Sequence, residues 1–480
     1  MKMENMRGAG RGDRGRRARR ATVPAGVFAA ACLWLSPAFA QAQKPAPPSL
    51  PTVQLAAPAA KSSAPPLQLT LADALERAQK NSPQFQAAVT AVKLAHENQV
   101  QASAAMKPSF SYLMQYLNTQ GNGISPVGRF VTNDGVHVYR AWLVAQQNMP
   151  GSFFIDAGPR KAGYMKALAD AQQEIARRGL AVTVTRDYYA LVVAQRDYAT
   201  AQESLSVARH FLAISQALEQ GGEVAHADVI RFELQVSQAQ RTLENTRLAM
   251  STARLNLAVL MFPTLNENFK VRDDLNAPPS LPTIGQVEAR AKTRNPVIQA
   301  ALAAYHAAGV DVSAAKSAFY PSLGIEFDYG IEANALQLHS VNLTAPGVVQ
   351  PNLGYFVTYS LNMPIWDWGS RLSKLHQAED QRHLQYVNLT YAQREVLSHL
   401  YSFYNQAAVA WNQLSSLGRS VRLARQNLDL VTMQYKAGET TVPQVLDAET
   451  ALVTARNSYA AGAARYRNAL AQLQTITGSF

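Results

Sequence analysis

Ten positions near the middle of the chain most constrain its fold: Val229, Phe232, Val236, Ala239, Leu243, Thr246, Met250, Ala253, Leu257 and Leu260. They are spaced alternately three and four residues apart without a break, and nine of the ten are apolar. A second set lies 216 residues further on, at Val445, Ala448, Leu452, Ala455, Tyr459, Gly462, Tyr466, Ala469, Leu473 and Ile476, with Gly462 its one weak position. An ordinary amphipathic helix repeats every 3.6 residues and would drift about 20° per heptad against such a seam. Phase held over four heptads, twice, predicts coiled coil, and the many small seam residues allow close helix approach. The segments upstream, about 161–219 and 370–436, read as longer helices still. At about 1.5 Å per residue, the second would run about 100 Å. Such a rod needs a partner along its whole course.

The seams belong to a wider internal repeat. Pro83 and Lys107-Pro108-Ser109-Phe110 answer Pro296 and Tyr320-Pro321-Ser322-Leu323, at an offset of 213. Asn148-Met149-Pro150 answers Asn362-Met363-Pro364, and Asp156-x-Gly158-x-Arg160 answers Asp367-x-Gly369-x-Arg371. Gly222-Glu223 answers Gly438-Glu439. The copies span residues 67–279 and 280–480, with Pro263 and Pro278–Pro282 marking the junction. Each predicts a first helix (about 70–106 and 283–318), two strands flanking a loop (about 109–119 with 137–148, and 322–332 with 354–363), the very long helix, a turn, and the seam helix (about 225–261 and 443–477).

The net charge of +12 suggests nucleic acid until it is located. Residues 1–20 hold eight basic and two acidic residues, and without them the balance is a scattered +6, which excludes a nucleic-acid footprint. That basic stretch, the apolar run Ala21 to Leu35 and the small-x-small site Ala38-Phe39-Ala40 predict a secretory signal, residues 1–40, cleaved after Ala40. Cleavage there discards Cys32, the sole cysteine. The residues before Cys32, Ala29-Ala30-Ala31, lack the larger apolar residue usual upstream of a lipidated cysteine. Seven prolines within 41–66 predict an extended, disordered linker.

The strands alternate. Leu323, Ile325, Phe327, Tyr329 and Ile331 share one face, with Gly324, Glu326, Asp328, Gly330 and Glu332 on the other. Phe110, Tyr112, Met114 and Tyr116 alternate in the same way, as do Tyr355, Val357, Tyr359, Leu361 and Met363; strand 137–148 carries apolar residues on both faces. Ten to twelve residues suit a tilted transmembrane strand. Any half-buried sheet also alternates. If the strands span a membrane, four cannot close a barrel, because an open edge is not tolerated in lipid. Eight, twelve or sixteen strands, from two, three or four copies, would close.

Familiar catalytic constellations are missing. The nine histidines lack metal-ligand spacing, so no metal and no cofactor is expected, and His226 reads as a solvated residue. No nucleophile elbow, phosphate-binding loop or zinc-binding His-Glu-x-x-His motif occurs. Trp366 and Trp368 read as an interfacial belt or as packing where barrel meets helices.

Together these features resemble the TolC family of outer-membrane efflux and secretion ducts. The resemblance covers nearly all of 68–478 and rests on the twin copies, on Asn295-Pro296 and Tyr320-Pro321, and on Met363-Pro364-Ile365-Trp366-Asp367-Trp368-Gly369. Its most specific piece is Tyr435-Lys436-Ala437-Gly438-Glu439-Thr440-Thr441-Val442-Pro443-Gln444-Val445-Leu446-Asp447-Ala448, which looks like the family's periplasmic turn. The resemblance implies a mainly α fold with a small β part. In a homotrimer, four strands per chain would form a twelve-stranded barrel in the Gram-negative outer membrane, and the helices a periplasmic tunnel. The tunnel would dock a periplasmic adaptor tied to an inner-membrane pump of RND or ABC type, and no reaction would be catalysed. The cargo implied is small molecules, drugs or toxic compounds; type I protein secretion is the alternative, and a soluble periplasmic coiled-coil scaffold the reading from another class.

The resemblance also assigns roles at the turns. Tyr435 keeps the family's tethering tyrosine and Asp447 an aperture aspartate. Gln444 stands where a second aspartate can occur, and Thr440 where a tethering arginine can. Asp228 is kept, next to Ala227 in place of a hydroxyl residue. Gly221, Gly222, Glu223, Gly438, Glu439 and Thr440 are expected at the hairpin turns, where they could contact an adaptor.

Overall fold

The computed structural model describes residues 65–118, 137–264, 266–333, 336–341, 347, 349–437 and 439–478. The expected signal segment and residues 41–64 of the expected linker lie outside the described residues. In chain order the first half holds β1 (Leu67–Leu69), α1 (Leu71–Asn81), α2 (Pro83–Ala104), β2 (Ser109–Asn118), β3 (His137–Met149), α3 (Ala157–Gln220) and α4 (His226–Met261). After β4 (Phe269–Val271) come α5 (Ile284–Arg294), α6 (Pro296–Ser317), β5 (Ser322–Ala333), β6 (His339–Val341), β7 (Val349–Pro351), β8 (Leu353–Asn362), α7 (Ser370–Lys436) and α8 (Val442–Thr477). The halves match in length: α1 and α5 have 11 residues each, α2 and α6 have 22, and α4 and α8 have 36.

The single first helix expected in each copy is instead two. The chain leaves the helical region at Ser82 (ψ 118°) and Asn295 (ψ 118°), each directly before a proline. Proline disfavours helical geometry in the residue before it but is well placed at a helix's first position. Ser82 and Asn295 then cap the next helix: Asn295 Oδ1 accepts from the Val297 N–H at 2.9 Å, and Ser82 Oγ from the Phe85 N–H at 3.4 Å.

The long helices pair as their seams require, α3 with α4 and α7 with α8, while α3 also meets α6 and α8 of the second half. No seam position in either helix is exposed. The weak position has a physical reason: a Cβ on Gly462 would stand 2.5 Å from Leu417 Cδ1, so the glycine is the hole into which an α7 leucine fits. Short strands β1 and β4, not foreseen, pair in parallel above a core of Tyr188, Tyr189, Leu257 and Met261. The last turn of α8 is pinned to α3. Arg178, 6% exposed, donates from Nη1 to the Thr475 carbonyl and from Nε to Glu174, both at 2.7 Å.

The main sheet runs β2-β3-β5-β8, antiparallel throughout. Strands β6 and β7 form a separate pair in the connection between β5 and β8 and were likewise not foreseen. Among the described residues no helix is long and apolar enough to cross a membrane.

Candidate functional site

The register sorts the sheet into two faces. Phe110, Ala145, Phe327 and Val357 lie side by side across it, as do Tyr112, Leu143, Tyr329 and Tyr355. Every Asp, Glu, Lys and Arg of the four strands falls on the opposite face: Arg140, Glu326, Asp328 and Glu332. The ambiguity of the second strand disappears here, because pairing puts Tyr139, Ala141, Leu143 and Ala145 on the charge-free side. That side is open to its surroundings, with Tyr355 73% exposed. A face without charge set against a face that carries every charge is what lipid outside and water inside demand of a barrel wall. Where the sheet hands over to α7, Ile365, Trp366 and Trp368 are exposed, the last at 89%. The two indoles meet edge to face with centroids 5.7 Å apart. Amphipathic rings at that level suit a membrane–water interface.

At the far end of the helices, the first turn is a Schellman motif. Gly222 takes φ +73°, its N–H donates to the Glu219 carbonyl at 2.9 Å, and the Glu223 N–H donates to Leu218, also at 2.9 Å. Only glycine adopts that conformation without a Cβ penalty. The bond from the Glu439 N–H to the Gln434 carbonyl, 2.9 Å, is the counterpart of the Glu223 bond 216 residues on; Gly438 lies outside the described residues. Gly221, Glu223 and Glu439 are exposed. His226 Nδ1 lies 2.7 Å from Glu219 Oε1 across the first turn.

Tyr435 is 3% exposed and packs among Phe211, Phe232, Val442 and Val445, so α3, α4, α7 and α8 all meet at one cluster. Phe211 stacks on Phe232 with centroids 5.8 Å apart, and Tyr435 meets both edge to face. Burial pushes its phenol up in pKa, Ser215's hydroxyl opposes that, and Asp228's carboxylate adds to it. Asp228 sits in the first turn of α4, where a carboxylate suits the helix dipole, and accepts from Arg231 at 3.1 Å. Gln444 and Thr440 bind one another: Gln444 Oε1 accepts from the Thr440 hydroxyl and from the Thr441 N–H at 3.2 Å. Both are thereby engaged in capping α8. Asp447 is exposed, on the side of α8 away from the buried Val445 and Ala448.

A profile of the outer membrane efflux protein family matches residues 74–261 and 288–479, one match in each half of the chain. The chain belongs to that family. It is an outer membrane efflux protein. It is 23% identical to the outer membrane efflux protein BepC of Brucella suis, over 81% of this chain and 80% of that one. It is also 23% identical to the alkaline protease secretion protein AprF of Pseudomonas aeruginosa, over 85% and 84%. The open-state structure of the Neisseria gonorrhoeae MtrE outer membrane channel shares the fold, with TM-score 0.69 at 19% identity over 85% of this chain and 89% of that one. Family and fold are those of channels, not of enzymes.

One residue of this efflux protein carries no signal in the heptad pattern. Glu449, next to seam residue Ala448, is 4% exposed where α8 crosses α3. Oε1 accepts from Ser204 Oγ at 2.7 Å, while Oε2 has no hydrogen-bond partner. Burial raises its pKa, and the Ser204 bond opposes the rise. A carboxyl whose pKa is raised by folding favours the folded state while protonated, and that contribution is lost as pH climbs through the folded value. Glu449→Gln is therefore expected to stabilise the protein at pH 7 by on the order of 1 kcal/mol. The gain should fade toward pH 4. Melting temperatures of the detergent-solubilised variant and wild type at both pH values check this.

Proposed function

We propose that three copies assemble around an axis as a passive exit duct, each contributing its four strands to one closed barrel and its long helices to a periplasmic tunnel. The observation that carries this reading is the sheet itself. Its charge-free face suits lipid, yet its outer strands β2 and β8 pair on one side only among the described residues. Open edges cannot stand in hydrocarbon, so the protomer is incomplete and further copies must supply the missing partners. The helix turns at the far end are the surface offered to an adaptor, through which an inner-membrane pump of RND or ABC type supplies the energy. The duct binds no cofactor and catalyses no reaction. Its cargo is small molecules, toxic compounds among them. Protein secretion is the second reading, favoured by similarity to AprF at the same identity as to BepC.

The tunnel narrows at the turns, where three exposed Asp447 side chains form a ring that attracts cations. The Phe211–Phe232–Tyr435 cluster holds the turn ends of both helix pairs together. Conductance in planar bilayers tests both halves of the reading. Wild type should form channels blocked by polyvalent cations from the periplasmic side, and Asp447→Asn should weaken that block about tenfold. Unchanged block would remove Asp447 from the aperture. A processed polypeptide that stays a water-soluble monomer without detergent, or that carbonate washing strips from membranes, would point to a scaffold instead.

A further inference from the structure

We infer that the polar face of the sheet carries a binding site for organic cations with an apolar, aromatic body, set on each protomer between Glu326 and the Trp142–Phe356 pair. The inference rests on the duct reading, which makes this face the barrel lumen, and it names a station for cargo on the wall.

The first ground is charge. The polar face holds one guanidinium and three carboxylates. Arg140 is already committed: Nη2 and Nε donate to Glu332 at 2.8 and 2.9 Å, and its guanidinium lies over the Trp142 ring, 5.2 Å from the centroid. Glu326 and Asp328 are left over, two residues apart on β5 and so about 7 Å apart along one face.

The second ground is a carboxylate without its partner. Asp328 is 1% exposed, and its Oδ2 has no hydrogen-bond partner. The register sets it between Val144 and Phe356, one step from Trp142. A buried carboxyl oxygen left without a hydrogen-bond partner is costly, and positive charge brought near it lowers the cost.

The third ground is shape. Beside Asp328, toward the helical end of the sheet, is a cavity of about 420 Å³ around half-buried Glu326. Gln146, Asn148, Thr358 and Ser360 line it with amide and hydroxyl oxygens whose negative ends can face a cation. Gly324 forms part of its wall, where a Cβ would come within 3.4 Å of Asn148 Oδ1. On the other side of Asp328, Trp142 and Phe356 meet edge to face with centroids 5.3 Å apart. Carboxylates select the charge, and the rings select a cation with an apolar, polarisable body. An open wall site binds weakly enough for its occupant to leave, which conduction requires.

Voltage-dependent block of the reconstituted, full-length mature channel by tetraphenylphosphonium, added from the barrel side, tests the site. Magnesium and benzenesulfonate serve as probes lacking the apolar body and the positive charge respectively. Tetraphenylphosphonium should block more strongly than either, and Glu326→Gln/Asp328→Asn should weaken its block about tenfold or more. Phe356→Leu, which keeps every charge and the sheet's apolar bulk, should weaken tetraphenylphosphonium block while leaving magnesium untouched; it serves if the double variant fails to insert. Equal block of wild type and these variants, or magnesium blocking as well as tetraphenylphosphonium, overturns the site while leaving the duct intact. A wild-type protein that forms no channel overturns the duct reading itself.

Discussion

Val357→Arg is expected to abolish assembly in the outer membrane, whereas Thr358→Arg, one residue further along the same strand, is expected to be tolerated. Successive residues of a strand point to opposite faces, so the pair differs in solvent and in little else. Val357 lies in line with Phe327, Ala145 and Phe110 on the face without charge. No carboxylate shares that face. An arginine near the bilayer midplane costs about 2–4 kcal/mol per copy, so a trimer would meet about three times that. Thr358 pairs directly with Glu326 on the polar face, so an arginine there gains an anion in water. Heat-modifiable trimers in washed outer membranes give the readout. Equal tolerance of both variants would mean that neither face meets lipid. Equal loss would mean the strand accepts no long cation at all. Thr358→Arg should also relieve tetraphenylphosphonium block, since it occupies Glu326 with a charge of its own.

What could be read from the residues, and what could not, divides along physical lines. The expected span of the longer rod, 370–436, is the observed one, because helix periodicity sums over many residues and a coiled-coil seam leaves no freedom of phase. The partner of each helix was also legible, since a tight glycine turn returns the chain on itself. The faces of β3 were not. Trp142 and Val144 are apolar, so pattern alone could not tell them from Leu143 and Ala145; only pairing with β5, which sets Arg140 against Glu332, assigns them. The helix breaks at Ser82 and Asn295 were signalled by the prolines that follow, but a proline within an apolar pattern reads equally as a helix start or an interior kink. Glu449 could not be found by pattern, because a heptad marks what faces the paired helix. Its burial comes instead from α3, which belongs to the other half of the chain. Gln444 is a similar case. Its side chain closes on the Thr441 N–H three residues back, a local capping bond that the heptad does not mark.

Phe232→Ala is expected to open the duct at rest without preventing its insertion. The resemblance to the family assigns closure to a tyrosine tether, yet Tyr435 lies within an aromatic cluster drawn from all four long helices. Phe232 is fully buried there, stacked on Phe211. Truncating a buried phenylalanine to alanine costs about 3–5 kcal/mol, far more than the about 1 kcal/mol net worth of one hydroxyl hydrogen bond. The seam above remains, through Val236, Ala239 and Leu243 against Leu205 and Ala208, so α3 and α4 stay paired while their ends lose their common anchor. The expected result is a normal yield of trimer, a higher resting conductance, and entry of solutes too large for the closed wild type. Tyr435→Phe separates the two explanations. It keeps the ring and removes a hydroxyl buried beside Ser215, whose own hydroxyl also lacks a hydrogen-bond partner. If packing holds the end shut, Tyr435→Phe stays closed while Phe232→Ala leaks. A leak in Tyr435→Phe with Phe232→Ala closed would return closure to the phenolic hydroxyl and its neighbour Asp228.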